Sequence, residues 1–402
     1  MNEIKKILNK VPEITLYFWI IKVLCTTVGE TFADFLNINL NIGLTGTSII
    51  MGILLVAALF FQFKASKYIP GVYWLTAAFI SVFGTLVTDN LTDSIGVPLE
   101  TSTILFSILL ALTFILWYRS EKTLSIHSIF TKRRESFYWL TILFTFALGT
   151  ATGDLMAESL GLGYLTTGII VAVIILLASL SRRAGLNSVL SFWIIYIMTR
   201  PLGASIGDYL SQPSRYGGLG LGATMTSILF IFGIIGLVIF LSFTKRDVIE
   251  IANTKEDGME EGKVIKQTIA TVLIFLIVGI SAYVWRQDSL KISNHPSINS
   301  SVESSTAATT ILPLGDLSTF KKITEDTRAF VAAGDLSGAK TRVSDLEYEW
   351  DNAEAKLRPM NQAKWTEIDN AIDKMLRQVR AVNPDSKGCE DALDALLTLL
   401  EK

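Results

Sequence analysis

The sequence predicts an all-α polytopic membrane protein: an eight-helix bundle made of four parallel two-helix repeats, plus a ninth span and a soluble helical bundle. Three observations carry this expectation. Half of the 402 residues are apolar and only 18% are charged, with a mean hydropathy of +0.46, whereas soluble proteins carry about 25% charged residues. Lysine and arginine collect on alternate connections between the apolar runs. One spacing of Trp, Gly and Asp recurs four times. The same composition excludes an ordinary soluble enzyme and a disordered chain, and two cysteines exclude a disulfide scaffold. A net charge of -2 without a basic stripe argues against a nucleic-acid partner.

A span needs about 20 mostly apolar residues to cross roughly 30 Å of hydrocarbon. Nine segments qualify: 13–35, 43–63, 71–92, 98–118, 136–157, 162–181, 188–209, 220–244 and 267–286. The N-terminus is basic and no small-residue cleavage site follows the first apolar run, so residues 1–12 read as a cytoplasmic tail and not as a signal peptide. Seventeen Lys and Arg, from Lys5, Lys6 and Lys10 through Arg133 and Arg134 to Lys263 and Lys266, fall on one side of the spans. The alternate connections hold only Arg215. The positive-inside rule then places the N-terminus in the cytoplasm, and an odd number of spans places the C-terminal domain outside.

The repeat is read from four tryptophans. Trp19, Trp74, Trp139 and Trp193 are each followed ten residues later by Gly29, Gly84, Gly149 and Gly203, and five further on by Asp34, Asp89, Asp154 and Asp208. The transmembrane domain, 13–247, therefore divides into units at 13–70, 71–135, 136–187 and 188–247. Two spans per unit insert every unit in the same direction, so any pseudosymmetry axis runs along the membrane normal. At 1.5 Å per residue the Gly lies about 15 Å and the Asp about 22 Å beyond the Trp. The Trp, with Tyr17, Phe18, Tyr73, Tyr138 and Phe192 beside them, fit an interfacial aromatic belt. The four Asp then share one depth in the outer third, from which they can converge on the axis.

Charge inside a bilayer costs about 2.5–3.5 kcal/mol per residue on the insertion scale, so four carboxylates at one depth need partners or a function. Glu30 stands four residues before Asp34, Asp93 four after Asp89 and Glu158 four after Asp154, a spacing that puts each pair on one helix face. The returning helices open with small and hydroxyl residues, among them Gly43, Thr47, Gly96, Thr103, Gly161, Thr167, Gly220 and Thr226. The expected cation-binding residues are Asp34, Asp89, Asp154, Asp208, Glu30, Asp93 and Glu158, with the four repeat Asp as metal ligands. Gly29, Gly84, Gly149, Gly203, Thr47, Thr103, Thr167 and Arg200 are expected to support them. Such an oxygen-donor set suits manganese or magnesium ahead of copper. Cys25 is the one membrane Cys, and neither His127 nor His295 lies in a span. Lys22 is expected to snorkel to the cytoplasmic interface, while Arg200, deeper and next to Pro201, is expected to pair with a carboxylate.

The fourfold unit, with Thr-Thr-x-Gly-Glu-Thr-x-x-Asp at Thr26 to Asp34, resembles a bacterial family of uncharacterised membrane-anchored proteins defined by a repeat of unknown function. The resemblance covers about residues 11–247 and implies a bacterial inner-membrane protein, without implying an activity. Gly29-Glu30 is similar to acidic signatures of manganese and calcium exporters.

Residues 248–287 form a cytoplasmic connection and the ninth span, and 288–315, rich in Ser, Thr, Asn and Ala, read as a tether. Residues 316–402 follow helix grammar, with helices expected at Ser318–Ala333, from Ser337 to before Pro359, from Asn361 to Val382, and at Glu390–Glu401. These predict an extracytoplasmic four-helix bundle with 13 basic and 17 acidic residues. Its pairs Glu347/Asp351 and Asp369/Asp373 lie near Trp350 and Trp365, as a solvated face or, in a sharper reading, as a metal-sensing module.

The function expected from these residues is secondary transport of a divalent metal or another small cation, with manganese and export preferred and carboxylate protonation as the coupling. No Gly-x4-Gly-Lys-Ser/Thr loop is present for ATP. No cofactor and no catalytic residue is expected, so the chain does not read as an enzyme. The alternative is a membrane-anchored sensor or scaffold acting through its C-terminal domain. The partners expected are the lipid bilayer and the small cation.

Overall fold

The computed structural model describes residues 9–40, 42–212, 218–248, 261–293, 314–358, 360–381 and 384–401. Arg215, Lys5, Lys6, His295 and most of the expected tether, 294–313, lie outside the described residues. The described chain is all helical, and nine of its helices are long and apolar enough to cross a membrane. It divides into two compact units, one drawn from residues 1–37, 42–155 and 163–267, the other from 38–41, 156–162 and 268–402.

The first unit holds the repeats. Its signature helices are α1 (Leu16–Asp34), α3 (Pro70–Asp89), α5 (Lys132–Asp154) and α7 (Ser188–Ser211), and its returning helices are α2 (Leu44–Lys64), α4 (Leu99–Glu121), α6 (Tyr164–Arg183) and α8 (Gly222–Thr244). Their starts obey capping chemistry. Thr15, Thr131 and Asn187 accept from backbone N–H groups of the first turns of α1, α5 and α7, and Pro70 opens α3. Gly43 and Gly163 cap α2 and α6 at φ 79° and 72°, values a side chain would resist.

The four signature helices form a closed inner ring in the order α1, α3, α5, α7 and back to α1. Each returning helix packs on the signature helix of the next repeat: α2 on α3, α4 on α5, α6 on α7, and α8 closes the cycle on α1. The sequence patterns agree with this division. Signature helices bury more than half of their span residues, while returning helices bury under a third and face outward with residues such as Ile49, Ile53, Ile108, Leu176 and Phe232. In lipid the hydrophobic effect does not drive helices together, so close packing and hydrogen bonds must hold the ring.

The repeat glycines supply the close packing. Each faces the residue seven places after the Trp in the next repeat: Gly29 meets Ser81, Gly84 meets Phe146, Gly149 meets Arg200 and Gly203 meets Thr26. The tryptophans differ from expectation. Trp74, Trp139 and Trp193 are buried, and Trp19 is half-buried against Phe192, so they do not form an interfacial belt. They join Phe18, Tyr73, Tyr138, Phe192 and Tyr196 in an aromatic plug that fills the ring near its Lys- and Arg-rich end. Hydropathy scores an indole against lipid headgroups and an indole inside a bundle alike, which is why the sequence pattern points to the belt.

Residues 9–13 run as a strap across that same end. Lys10 N–H donates to the Ile129 carbonyl, Asn9 Nδ2 to Ile126, and Glu13 N–H to Asp247, while Tyr68 N–H donates to the Asn9 carbonyl. Lys10 Nζ is buried against Glu135 Oε2 at 2.6 Å, and Gln62 Nε2 donates to the other carboxylate oxygen at 2.9 Å. This strap explains why α1 starts at Leu16, three residues after the expected first span residue.

The second unit contains α9 (Glu261–Ser293) from Thr268 onward, together with α10 (Ser318–Ala332), α11 (Leu336–Leu357), α12 (Gln362–Arg380) and α13 (Ser386–Leu400). α9 extends six residues into the expected tether. The last four helices pack as a ring, each on its neighbours in sequence and α13 back on α10, around Trp350, Trp365, Ile368, Leu346 and Leu393. α13 begins four residues before the expected Glu390, because Asp385, just after Pro384, caps it by accepting from Gly388 N–H.

Glu135→Ala leaves the Lys10 ammonium buried without its counter-charge. The expected result is a loss of about 3–5 kcal/mol in detergent-solubilised unfolding, and a loss under about 1 kcal/mol would show that the strap does not depend on this pair.

Candidate functional site

Arg200 lies fully buried on α7, one turn beyond the plug. Its guanidinium reaches every other signature helix. Nη1 donates to the Thr26 carbonyl on α1 at 2.6 Å, and Nη2 pairs with Glu30 Oε2 on α1 at 2.6 Å. Nη2 also donates to the Thr85 hydroxyl on α3, and Nε and Nη2 donate to Thr150 Oγ1 on α5 at 3.0 and 2.8 Å. A planar fork with five donors suits such a multi-helix junction better than any other side chain. The acceptors share one register: Glu30, Thr85 and Thr150 each stand eleven residues after their Trp, and the fourth equivalent is Ala204. Thr85 and Thr150 were missed by sequence reasoning, although the register that found the Gly and Asp also marks them.

The room for this side chain comes from Gly149, where an added Cβ would lie 2.5 Å from Arg200 Cβ and Cγ. Gly29, Gly84 and Gly203 likewise act through helix approach.

The carboxylates stand at the far ends of the signature helices. Asp34, Asp89 and Asp154 are the last α-helical residues of α1, α3 and α5, and a π-helical turn begins directly after each: Phe35–Asn39, Asn90–Ser94 and Leu155–Ser159. Asp208 instead lies inside α7, which runs on to Ser211. π-helical turns inside α-helices recur at functional positions. All four Asp and Glu30 are half-buried. Asp89 lies within electrostatic range of Glu30, Asp93, Asp154 and Asp34, and Asp208 within range of Glu30, Asp34, Asp154 and Arg200. Asp93, in the second π-helical turn, accepts from the Thr92 hydroxyl at 2.8 Å. Glu158 falls in segment 156–162, which belongs to the other unit. The Asp thus form an electrostatically connected layer. Among the described residues, however, no three Asp, Glu, His or Cys are gathered closely enough to hold one metal ion.

The returning helices bring hydroxyls. Thr47 on α2, Thr103 on α4, Thr167 on α6 and Thr226 on α8 have buried oxygens with no hydrogen-bond partner among the described residues. Ser227, next to Thr226, donates to Thr31 at 2.8 Å.

Lys22 departs from expectation. It does not snorkel but is buried inside the ring, with Nζ 3.8 Å from the Phe146 ring centroid and 4.3 Å from that of Tyr196. Lys22 shares one face of α1 with the buried Phe18, Ile21 and Cys25, so its side chain turns into the ring and not toward water.

Four matches to the model of a repeat of unknown function, DUF347, cover residues 17–68, 72–123, 137–183 and 191–247. The chain belongs to this family. The four DUF347 matches coincide with the four Trp-Gly-Asp units and with the four helix pairs. No curated protein and no solved structure matches the chain.

The C-terminal bundle of this DUF347 protein carries the second set of candidate carboxylates. Arg380 clasps Glu347 through Nη1 and Nη2 at 3.0 and 2.5 Å, Arg377 pairs with Asp373 at 3.4 Å, and Trp350 Nε1 donates to Asp369 at 2.9 Å. Burial pushes the Asp373 carboxyl up to about 6, with the Arg377 charge opposing it and Glu347 adding to it. Burial, then Glu347 and Asp369, pushes Asp351 well above the usual carboxylate range. Trp350 and Trp365 stack at 3.9 Å, so this cluster borders the bundle core and is not a freely solvated face.

Gly149→Ala should drive a methyl group into Arg200 and destabilise the protein by about 1–3 kcal/mol, the range for overpacking. Gly236→Ala on α8, where an added Cβ meets nothing within 4 Å, serves as the control and should cost nothing. Equal unfolding midpoints for the two variants would contradict the packing role of Gly149.

Proposed function

We propose that this protein is a secondary transporter of a small cation, with a divalent metal such as manganese as the preferred substrate and export as the preferred direction. The observation that carries the reading is the electrostatically connected layer of Asp34, Asp89, Asp154, Asp208 and Glu30 at one end of a ring of apolar spans, with Arg200 as its internal counter-charge. Such a layer is expensive in a bilayer unless it binds or relays charge. The buried hydroxyls of Thr47, Thr103, Thr167 and Thr226 support it, since buried polar groups without a protein partner are ordinarily satisfied by water or a ligand.

The carboxylates are close enough to feel one another but not gathered around a point. A cation entering the layer draws Asp34, Asp89 and Asp154 toward itself, and the π-helical turns after them take up the movement without unwinding the spans. Proton exchange on the same carboxylates supplies the coupling. The positive-inside rule orients the N-terminus to the cytoplasm of a bacterial cell, so the carboxylate layer faces outward and the strap and plug close the cytoplasmic end. The protein does no covalent chemistry in this reading and carries no resident cofactor.

A second reading has the repeats as an anchor and the C-terminal bundle as a sensor or scaffold. The observation that favours it is that α10–α13 enclose a core of their own.

Liposomes loaded with a metal-sensitive dye and carrying wild type, or a variant with Asn at positions 34, 89, 154 and 208, distinguish the two readings. Flux of one divalent cation driven by a pH gradient, lost in the Asn variant, is expected. Wild-type protein that is folded but moves no cation would overturn the transporter reading and turn attention to residues 316–402.

A further inference from the structure

We propose that Asp247 is a proton-operated latch on the strap of residues 9–13: the strap is held tight while the Asp247 carboxyl is protonated and loosens as it ionises. Asp247 lies three residues beyond the end of α8 and is 1% exposed. Its backbone carbonyl accepts from Glu13 N–H at 2.9 Å, and its Oδ2 accepts from the Tyr68 hydroxyl at 2.5 Å. Tyr68 N–H in turn donates to the Asn9 carbonyl at 3.1 Å. Asp247 and Tyr68 therefore hold the strap at both of its ends.

The site is poorly suited to a negative charge. An ionised carboxylate only accepts hydrogen bonds, with about four lone-pair sites on its two oxygens. Oδ2 of Asp247 has the Tyr68 hydroxyl, but Oδ1 is buried with no hydrogen-bond partner among the described residues. The charges nearby are directed elsewhere. Lys10 Nζ is taken by Glu135 and the Phe63 carbonyl, Arg246 turns to the Tyr17 hydroxyl and the Phe240 ring, and Lys245 and Glu13 are exposed. Tyr73 packs edge-on against Tyr68 and keeps its hydroxyl with Tyr138. Burial accordingly pushes the Asp247 carboxyl above the usual carboxylate range, with the Tyr68 hydroxyl and the residue's own backbone N–H opposing. A carboxyl raised in this way binds its proton more tightly when the strap is seated than when it opens to water. The stability this gives the strap is complete below the ordinary carboxylate value, about 4, and is lost as pH rises through the raised value. Acid thus locks the strap. The other titratable neighbour, His127, stands on the turn whose Ile126 carbonyl accepts from Asn9, and burial holds it below its ordinary value, with Glu13 opposing and Arg182 adding to the shift. Its protonation acts with the opposite sign, loosening the strap in acid. In the orientation proposed above the latch answers to cytoplasmic acidification, and it does not depend on what the ring carries.

The test follows amide hydrogen exchange of the strap in the full-length protein in nanodiscs, divided at each pH by the intrinsic exchange rate. In the wild type, strap opening should increase as pH is raised from about 4, by no more than about tenfold per unit, the limit for one proton, and then level off. Asp247→Asn, which keeps the shape and cannot ionise, should hold the strap tight with no such rise. Tyr68→Phe removes a donor that favours the ionised form, so the plateau should move to higher pH. A Tyr68 that only supports the strap would instead loosen it equally at every pH. His127→Gln should leave the rise in place. Opening that is independent of pH in the wild type, that increases toward acid, or whose rise survives Asp247→Asn overturns the proposal. If Asp247→Asn does not fold, the direction in which Tyr68→Phe moves the plateau decides.

Discussion

A guanidinium inside a lipid-embedded bundle has five N–H donors and no water to receive them. Arg200 meets that requirement by taking acceptors from all three of the other signature helices: Thr26 and Glu30 on α1, Thr85 on α3 and Thr150 on α5. The ring cannot widen, twist or lose a helix without stranding part of this network. With the hydrophobic effect absent between helices, this junction and the four glycine contacts hold the four signature helices in a closed cycle.

The same junction shows how repeats that share one backbone plan come to differ in chemistry. Seven residues after each Trp the four repeats carry Thr26, Ser81, Phe146 and Arg200, and eleven after it Glu30, Thr85, Thr150 and Ala204. A fourfold ring of arginines would be untenable by charge, and a ring of threonines would have no counter-charge for the acidic layer. One Arg, one Glu and two Thr give a satisfied junction beside which the Asp can lie in range of one another. Lys22 and its aromatic neighbours extend this asymmetry by another turn toward the plug. The strap of residues 9–13 then closes the same end with a buried ion pair of its own, Lys10 with Glu135.

Much of this plan is legible in the sequence, because spans and repeats are written in hydropathy, in the Lys and Arg of the connections and in a fixed Trp-Gly-Asp spacing. The inner role of α1, α3, α5 and α7 is legible too, because these four helices alone carry the Trp-Gly-Asp spacing. Lys22 and the Trp are not, since a residue near the end of a span looks the same whether it turns to the headgroups or into the bundle. The partner of Arg200 is not legible either: five carboxylates stand at similar depth, and only the cyclic order of helices singles out Glu30. The π-helical turns leave no trace in composition, and their presence after Asp34, Asp89 and Asp154 but not after Asp208 emerges from packing alone.

The central claim is that Arg200 and Glu30 act as one buried unit on which the ring and its acidic layer depend. A double-mutant cycle with Arg200→Gln, Glu30→Gln and the combined variant, read as unfolding free energy in bicelles, tests it most directly. The account predicts that either single change is strongly destabilising and that the two are coupled by about 2 kcal/mol or more. Effects that add to within about 0.5 kcal/mol would mean that the two side chains are independent, and would contradict it.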